Sequence, residues 1–150
     1  MTLDERTSRN IATLHPRAQE KAREFMALAV PLMAKAGAVV KIISGNRTYA
    51  EQDALYAQGR SKPGPVVTKA RGGYSNHCFA TAWDVGIFKG GKYLEESSLY
   101  RDLGRVGESI GLEWGGSWQF SDQPHYEVKT GLTMAEKRAR VAKGIDLFTD

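Results

Sequence analysis

Apolar residues recur at two spacings along the chain, and each spacing predicts a different kind of element. Spacings of three and four residues after Pro16 give one apolar face to a helix that Gly37 would end. We expect Pro31 to kink or interrupt this helix, because proline cannot donate a backbone hydrogen bond. Short apolar runs predict strands at Val39–Ile43, Ala82–Phe88, Leu112–Trp114 and His125–Lys129.

Turn and capping signals complete this pattern. Two capping boxes, Thr48 with Glu51 and Thr133 with Glu136, predict a helix from about Tyr49 to Gln58 and a closing helix. Further signals predict an opening helix over Thr2–Leu14, a hairpin turn at Lys89–Lys92 and a helix capped by Ser97 or Ser98. The resulting order of helices and strands predicts an α+β fold with a small antiparallel or mixed sheet and flanking helices.

Length and composition narrow the class of protein. With 150 residues, 41% hydrophobic and 25% charged, the chain fits one soluble domain and is neither disordered nor fibrous. Its single cysteine excludes a disulfide framework and a cysteine-rich zinc finger. The apolar runs fall short of the roughly 20 residues of a membrane helix. The polar start does not match a secretory signal peptide.

The net charge of +4 is concentrated in one segment. Residues 41–72 contain six basic and two acidic side chains, and the rest of the chain is balanced. This segment is either a solvated face or a basic approach to an anionic partner. Nucleic acid is one such anionic partner, and salt-sensitive DNA binding would support it, but the spacing has no obvious recognition helix or aromatic–basic RNA motif, so we expect no nucleic-acid partner.

Two short stretches contain the candidate chemistry. His77 is followed seven residues later by Asp84, and Asp122 precedes His125 by three residues. Two imidazoles and one carboxylate suit zinc and leave a fourth position for water, and a second carboxylate can act as a general base. Taken without further context, these residues also fit ordinary structural roles.

The motifs resemble a known family. The stretch Ser75–Asp84 is similar to the S-x-H-x-x-G-x-A-x-D signature of the D-alanyl-D-alanine carboxypeptidase family of zinc peptidases, which includes vancomycin-resistance dipeptidases and the L-alanyl-D-glutamate endopeptidases of phage endolysins. Further motifs match in the same order, at Leu14–Pro16, Ile43–Thr48, Leu55–Arg60, Glu113–Trp118 and Pro124–Tyr126. In length and motif order the chain is most similar to the short phage endopeptidases.

The resemblance implies a role for each matching residue. His77, Asp84 and His125 would bind one zinc ion, and Asp122 would be the general base. Arg47 would stabilise the oxyanion. Three further residues are expected to contact substrate or line the cleft: Ser75, Trp118 and Tyr126.

The same resemblance implies a function. We expect a peptidoglycan endolysin that hydrolyses the L-alanyl-D-glutamate bond of the stem peptide with a zinc-activated water. Residues 1–150 would form a single catalytic metallopeptidase domain of the hedgehog and D-Ala-D-Ala peptidase type, without a separate wall-binding domain. We expect a monomer without stable membrane association. It would stay in the host cytoplasm until a phage holin releases it to the cell wall.

Two alternatives remain open. A D-alanyl-D-alanine carboxypeptidase or dipeptidase would use the same metal site on another bond. A non-catalytic wall-binding module would keep the fold and lose the reaction.

The sequence departs from the family pattern in three places. Ala80 replaces a usual glycine, and would be strained if its φ were positive. Cys78 stands where asparagine is frequent and Ser117 where aspartate is common. We expect Cys78 to be a small buried hydrophobe, His15 to pack at a helix start, and the basic tail residues to form a solvated helix face, namely Lys137, Arg138, Arg140 and Lys143.

Overall fold

The computed structural model describes residues 2–149, and within them the helices and strands follow the predicted order. The elements are α1 (Glu5–Ala12), α2 (Pro16–Lys35), β1 (Val39–Ser44), α3 (Tyr49–Ala57), β2 (Ala82–Lys89), β3 (Lys92–Leu94), α4 (Leu99–Ser109), β4 (Glu113–Trp114), β5 (His125–Glu127) and α5 (Met134–Lys143). Two short 3₁₀ turns, Asn76–Cys78 and Gly115–Ser117, precede β2 and β5.

Local capping explains where several helices begin. Both predicted capping boxes are present, with Thr48 and Glu51 starting α3 and Thr133 and Glu136 starting α5. The side chain of Ser98 does not cap α4, whereas the hydroxyl of Ser97 accepts a hydrogen bond from the backbone of Leu99. The starts of α3 and α5 were therefore predicted from short-range signals, whereas α1 begins at Glu5 and not at Thr2 as predicted.

Helix α2 continues through Pro31, so the predicted interruption does not occur. Pro31 cannot donate a hydrogen bond to the carbonyl one turn earlier, which weakens the helix at that point. Packing compensates, because one face of α2 is buried before and after the proline at Phe25, Met26, Ala29 and Met33.

The sheet is antiparallel throughout and has the order β1-β2-β5-β4, with β3 pairing the far end of β2. This confirms the α+β fold with a small sheet and flanking helices. Strand β2 is central, since it pairs with β1, β3 and β5. The described helices include none long and apolar enough to cross a membrane.

The two faces of the sheet have different roles. On β2 the side chains of Trp83, Val85 and Ile87 are fully buried in the core beneath α2 and α4. Successive side chains on a strand point to opposite faces, so Asp84 lies on the other face of the sheet. The apolar face stabilises the fold, and the other face carries the candidate site.

The basic tail is only in part the solvated face that we expected, because Lys143 is exposed whereas Lys137 is buried and Arg138 is half-buried. Lys137 is only 5% exposed, and its ammonium group donates a hydrogen bond to Asn76 Oδ1. Arg138 donates to the carbonyl of Gly73 and covers the ring of Tyr74. One face of α5 therefore packs beside the turn that contains His77, and the sequence spacing did not indicate this contact.

Candidate metal centre and cleft

Sheet register brings part of the site together. Asp84 on β2 lies opposite Ser44 of β1 on one side and opposite His125 of β5 on the other. Directly opposed side chains on antiparallel strands have Cβ atoms roughly 5 Å apart. The backbone ladder therefore places Asp84 and His125 next to each other, although 41 positions separate them in the sequence.

His77 reaches the same place from a turn. The hydroxyl of Ser75 accepts a hydrogen bond from the backbone N–H of His77 and so caps the first 3₁₀ turn. The backbone N–H of Arg47 donates to the His77 carbonyl at 2.7 Å. Nδ1 of His77 lies 3.2 Å from the Gly45 carbonyl, which leaves Nε2 directed at the other two residues.

The three predicted ligands converge. Asp84 Oδ1 lies 3.2 Å from His77 Nε2 and 3.4 Å from His125 Nδ1. The two ring nitrogens are 3.1 Å apart, and one potential ligand atom from each residue lies within 4.8 Å of the others. Two imidazole nitrogens and a carboxylate oxygen form a donor set that suits a divalent transition metal, so the residues fit such an ion.

The electrostatics of the cluster favour charged forms in the metal-free chain. Burial acts to raise the pKa of Asp84, but hydrogen bonds with His125 and His77 and their charges outweigh it and hold the pKa well below its usual range. Burial acts to lower the pKa of His125, but Asp84 and Glu127 outweigh it and raise the pKa to about 9. A bound metal ion would replace the proton of His125 that attracts the Asp84 carboxylate.

The three residues of the cluster line an open cleft of about 510 Å³. This volume is in the range of small-molecule and peptide sites. The lining includes the predicted residues Arg47, Ser75, Trp118 and Asp122. It also includes residues that were assigned no role from the sequence, namely Leu55, Val67, Thr68, Ala70, Tyr74, Asn76, Glu127 and Met134.

Asp122 is placed beside the ligands and outside their cluster. Its backbone N–H donates to the Gly115 carbonyl, and its own carbonyl accepts from the N–H of His125. A side chain at Gly115 would meet the Asp122 carbonyl at 2.3 Å, so only glycine permits this close approach. Burial raises the pKa of Asp122, and the charge of Asp84 adds to the effect, which suits a group that accepts a proton.

Arg47 forms an ion pair with the carboxylate of Asp84. Its guanidinium is 3.5 Å from Asp84 Oδ2, and it also donates to Ser44 Oγ and to Gln52 Oε1. Gln52 is fully buried and donates to the Ala70 carbonyl at 2.7 Å. This support holds a fixed positive charge at the wall of the cleft.

The expectation for Tyr126 was wrong. Its ring is fully buried, stacks on Trp83 at 6.3 Å and packs against Phe25, and it does not line the cleft. Because side chains alternate along β5, the residue after His125 must point to the opposite, apolar face. Gly107 on α4 accommodates the ring, since a Cβ there would meet it at 2.6 Å.

The other singled-out residues have identifiable surroundings. The ring of Trp118 lies 4.8 Å from that of His125, and its Nε1 donates to Glu113. Cys78 is buried beside Phe79 and Leu147, as expected of a small hydrophobe, and is outside the ligand cluster. Ala80 has φ of +58°, and among residues 2–149 it is the one non-glycine residue with positive φ. It therefore adopts the strained conformation that its family glycine would adopt freely.

Glu127 is a polar residue that sequence reasoning missed. It is 5% exposed, and its Oε1 lies 2.8 Å from Nε2 of His125. The sequence did contain a signal for this contact. His125 and Glu127 are two residues apart on a predicted strand, and such residues lie on the same face of the sheet.

Comparisons with known proteins bear on this site. A family pattern described as D-alanyl-D-alanine carboxypeptidase matches residues 68–128. The peptidoglycan L-alanyl-D-glutamate endopeptidase CwlK of Bacillus subtilis (strain 168) is 36% identical over 126 residues, which cover 77% of this chain and 73% of CwlK. The chain belongs to the D-alanyl-D-alanine carboxypeptidase family of peptidases. The resemblance noted in the sequence is thereby confirmed.

Solved structures of this peptidase family share the fold. The L-Ala D-Glu endopeptidase ChiX of Serratia marcescens superposes with a TM-score of 0.61 at 20% identity, over 85% of this chain and 89% of ChiX. The vancomycin-resistance D,D-pentapeptidase VanY, crystallised with Zn(II), gives 0.52 at 17% identity, over 89% of this chain and 81% of VanY. At these identities the likeness establishes the fold alone.

Proposed function

We propose that this peptidase is a zinc-dependent peptidoglycan endopeptidase that hydrolyses the L-alanyl-D-glutamate bond of the stem peptide. The convergence of His77, Asp84 and His125 beside Asp122 and Arg47 carries the proposal. The choice of bond is supported by the relative CwlK, which is an L-alanyl-D-glutamate endopeptidase. Zinc is supported by the donor set of two nitrogens and one oxygen.

Each residue has a defined part in the reaction. His77, Asp84 and His125 would hold the zinc ion, which would supply a Lewis acid that lowers the pKa of water and polarises a carbonyl. Asp122 accepts a proton as the oxygen of water attacks the alanyl carbonyl carbon. It then gives the proton to the amine of D-glutamate as the C–N bond breaks. Arg47 stabilises the negative charge that develops on the carbonyl oxygen.

The charges at the cleft fit an anionic peptide. Arg47 and Tyr74 line the cleft, Arg71 and Arg138 lie over the ring of Tyr74, and Lys69 lies over the ring of Phe120. Three of these four cations belong to the basic segment 41–72. A stem peptide with D-glutamate and diaminopimelate carboxylates would be attracted to this surface.

Digestion of purified sacculi tests the proposal. We expect the wild-type chain with Zn²⁺ to release fragments with new L-alanine carboxyl ends and new D-glutamate amino ends, identified by mass spectrometry. A chelator and the Asp122→Ala variant should each abolish the release. Persistent activity in a folded Asp122→Ala variant or after metal removal would contradict the mechanism.

A second function is favoured by the family pattern, which is described as D-alanyl-D-alanine carboxypeptidase. A D-alanyl-D-alanine carboxypeptidase would release free D-alanine and leave the first two stem residues joined. The same digestion therefore separates the two bonds. Binding to sacculi without any cleavage and without stoichiometric zinc would instead indicate a wall-binding module.

The remaining expectations stay predictions from the sequence. They are the phage lysis role, release from the host cytoplasm by a holin, the monomeric state, and a single catalytic domain over residues 1–150. Measurement of the molecular mass in solution would test the monomeric state. Expression with and without a holin would test release from the cytoplasm and the lysis role.

A further inference from the structure

The two histidine ligands are oriented by different groups. Nδ1 of His77 faces the backbone carbonyl of Gly45 at 3.2 Å, which is a neutral acceptor. Nε2 of His125 faces a carboxylate, Oε1 of Glu127, at 2.8 Å. A hydrogen bond at one ring nitrogen decides which nitrogen is free to bind a metal.

Glu127 is itself held on its second oxygen. Oε2 accepts a hydrogen bond from Nδ2 of Asn76 at 2.7 Å, and Oδ1 of Asn76 accepts one from the ammonium group of Lys137. Glu127 and Lys137 are each 5% exposed. A buried carboxylate and a buried ammonium are retained in proteins when they have partners, so this chain of contacts explains both.

The network joins three parts of the fold. His125 and Glu127 come from β5, Asn76 from the turn next to His77, and Lys137 from α5. None of these contacts lies between neighbours in sequence except the pair on β5. The network leads away from the ligand cluster, because the other ring nitrogen of His125 faces His77 and Asp84.

We propose that Glu127 is a positioning residue that holds His125 with Nδ1 towards the metal, and that Asn76 and Lys137 hold Glu127 in turn. This inference rests on the proposed metal site. Glu127 accepts a hydrogen bond from the Nε2–H group of His125, fixes the ring orientation, and makes Nδ1 a stronger ligand. Such partners typically change metal affinity by about 10- to 100-fold.

Zinc affinity of the full chain provides the test, with Zn²⁺ alone titrated against a chelating dye. We expect Glu127→Ala to bind Zn²⁺ about 10- to 100-fold more weakly than wild type, and Glu127→Gln to shift in the same direction by less. Glu127→Gln keeps the shape and an acceptor oxygen, so it tests the proposal even if the alanine variant does not fold. The control is Glu96→Gln, an exposed site with no contact to the cleft, which should bind as wild type does.

A nitrogen-15 NMR spectrum of the zinc-loaded chain gives a second readout. In the wild type we expect His125 to carry its proton on Nε2, with a downfield proton resonance that moves upfield in Glu127→Gln. A merely structural role for Glu127 would change the melting temperature and leave this resonance in place.

Lys137 is tested by a double-mutant cycle. Lys137 is proposed to act through Glu127, so the effect of Lys137→Met on zinc affinity should depend on Glu127. We expect the fold-change that Lys137→Met causes in the wild type to differ by about 2-fold or more from the fold-change that it causes in Glu127→Gln. Lys143→Met, on the exposed side of α5, is the matched control. Equal factors in both backgrounds would contradict the role of Lys137.

Failure of the proposed function and failure of the role of Glu127 give different results. A wild-type chain that binds no Zn²⁺ would contradict the proposed function and this inference together. Wild-type binding with unchanged affinity and an unchanged His125 resonance in the folded Glu127 variants would contradict this inference alone.

Discussion

The two walls of the cleft are held in place by different kinds of contact. The sheet wall, formed by Asp84, His125 and Glu127, is positioned by the backbone ladder between β2 and β5. The loop wall, formed by residues 67–75, has no regular strand or helix, and side chains of α3 hold its backbone. Gln52 donates to the carbonyl of Ala70, and Asp53 accepts from the N–H of Gly72.

The difference separates two tasks. A ladder of backbone hydrogen bonds fixes side chains with little freedom, which suits metal ligands that must keep their spacing. A loop held at a few points presents exposed apolar and basic side chains, including Val67 and Tyr74, to a substrate. We therefore expect changes in the sheet wall to affect metal binding and changes in the loop wall to affect substrate binding.

The largest expected effect comes from removing a ligand in the sheet wall. His125→Ala should weaken zinc binding by more than about 100-fold, because losing a ligand exceeds the loss of an outer hydrogen bond. Hydrolysis should fall with it. In the loop wall, Val67→Ala should leave zinc affinity within about 2-fold and raise KM for a stem peptide. Zinc titration and steady-state kinetics would check both, and an equal loss of zinc affinity in the two variants would remove the distinction.

The sheet wall should also make the stability of the metal-free chain depend on pH. The pKa of His125 is raised from 6.5 to about 9 in the folded chain, so the folded state binds this proton more tightly than the unfolded state. The stabilisation is complete below about pH 6.5 and is lost as the pH rises through about 9.

Urea unfolding in chelator at pH values across this window would measure the fall. Excess Zn²⁺ should flatten the profile, because the bound metal replaces the proton on His125. If the free energy of unfolding of the metal-free chain instead rose between about pH 6.5 and 9, the proton on His125 would not be what stabilises the cluster.

Loss of support under the loop wall is expected to have an intermediate effect. Gln52→Ala removes a buried side chain that donates to Ala70 and accepts from Arg47, and leaves the Ala70 carbonyl without that partner. The free energy of unfolding should fall by about 1–3 kcal/mol. Gln58→Ala, whose bond to Pro65 is exposed, is the control and should cost less. Similar losses in chemical denaturation would mean that burial of Gln52 contributes nothing extra.

The smallest effect concerns the turn between the walls. Ala80 adopts a left-handed conformation at φ of +58°, which costs about 1–2 kcal/mol for a residue with a Cβ. Ala80→Gly removes this strain but increases the freedom of the unfolded chain, so we expect a net gain of about 0.5–1 kcal/mol. Ala80→Val should destabilise the fold. A glycine variant that is less stable than wild type in urea would contradict the strain.

Several features of this protein could be predicted from the sequence because they depend on residues close together in the chain. The capping boxes at Thr48 and Thr133 need only a hydroxyl and a carboxylate three residues apart, and both are present. The order of elements followed from apolar periodicity. The ligands His77, Asp84 and His125 were assigned through resemblance to a family, since spacing by itself left a structural role open.

Other features were decided by tertiary contacts. Lys137 has the spacing of a surface helix cation, and only the docking of α5 beside Asn76 buries it. Tyr126 belongs to a motif that contains a predicted ligand, yet strand alternation places its ring in the core. Pro31 stays helical because the apolar face of α2 is buried on both sides of it.

The physical reason for this division is the range over which each determinant acts. Caps, turns and periodicity depend on backbone geometry within a few residues, and these can be inferred from the chain itself. The orientation of His125 depends on Glu127, Asn76 and Lys137, and the sheet register and the docking of α5 bring these four side chains into contact. The sequence by itself determined the order of the elements and, through the family resemblance, the candidate ligands, and the tertiary structure decided how one of those candidates, His125, is held.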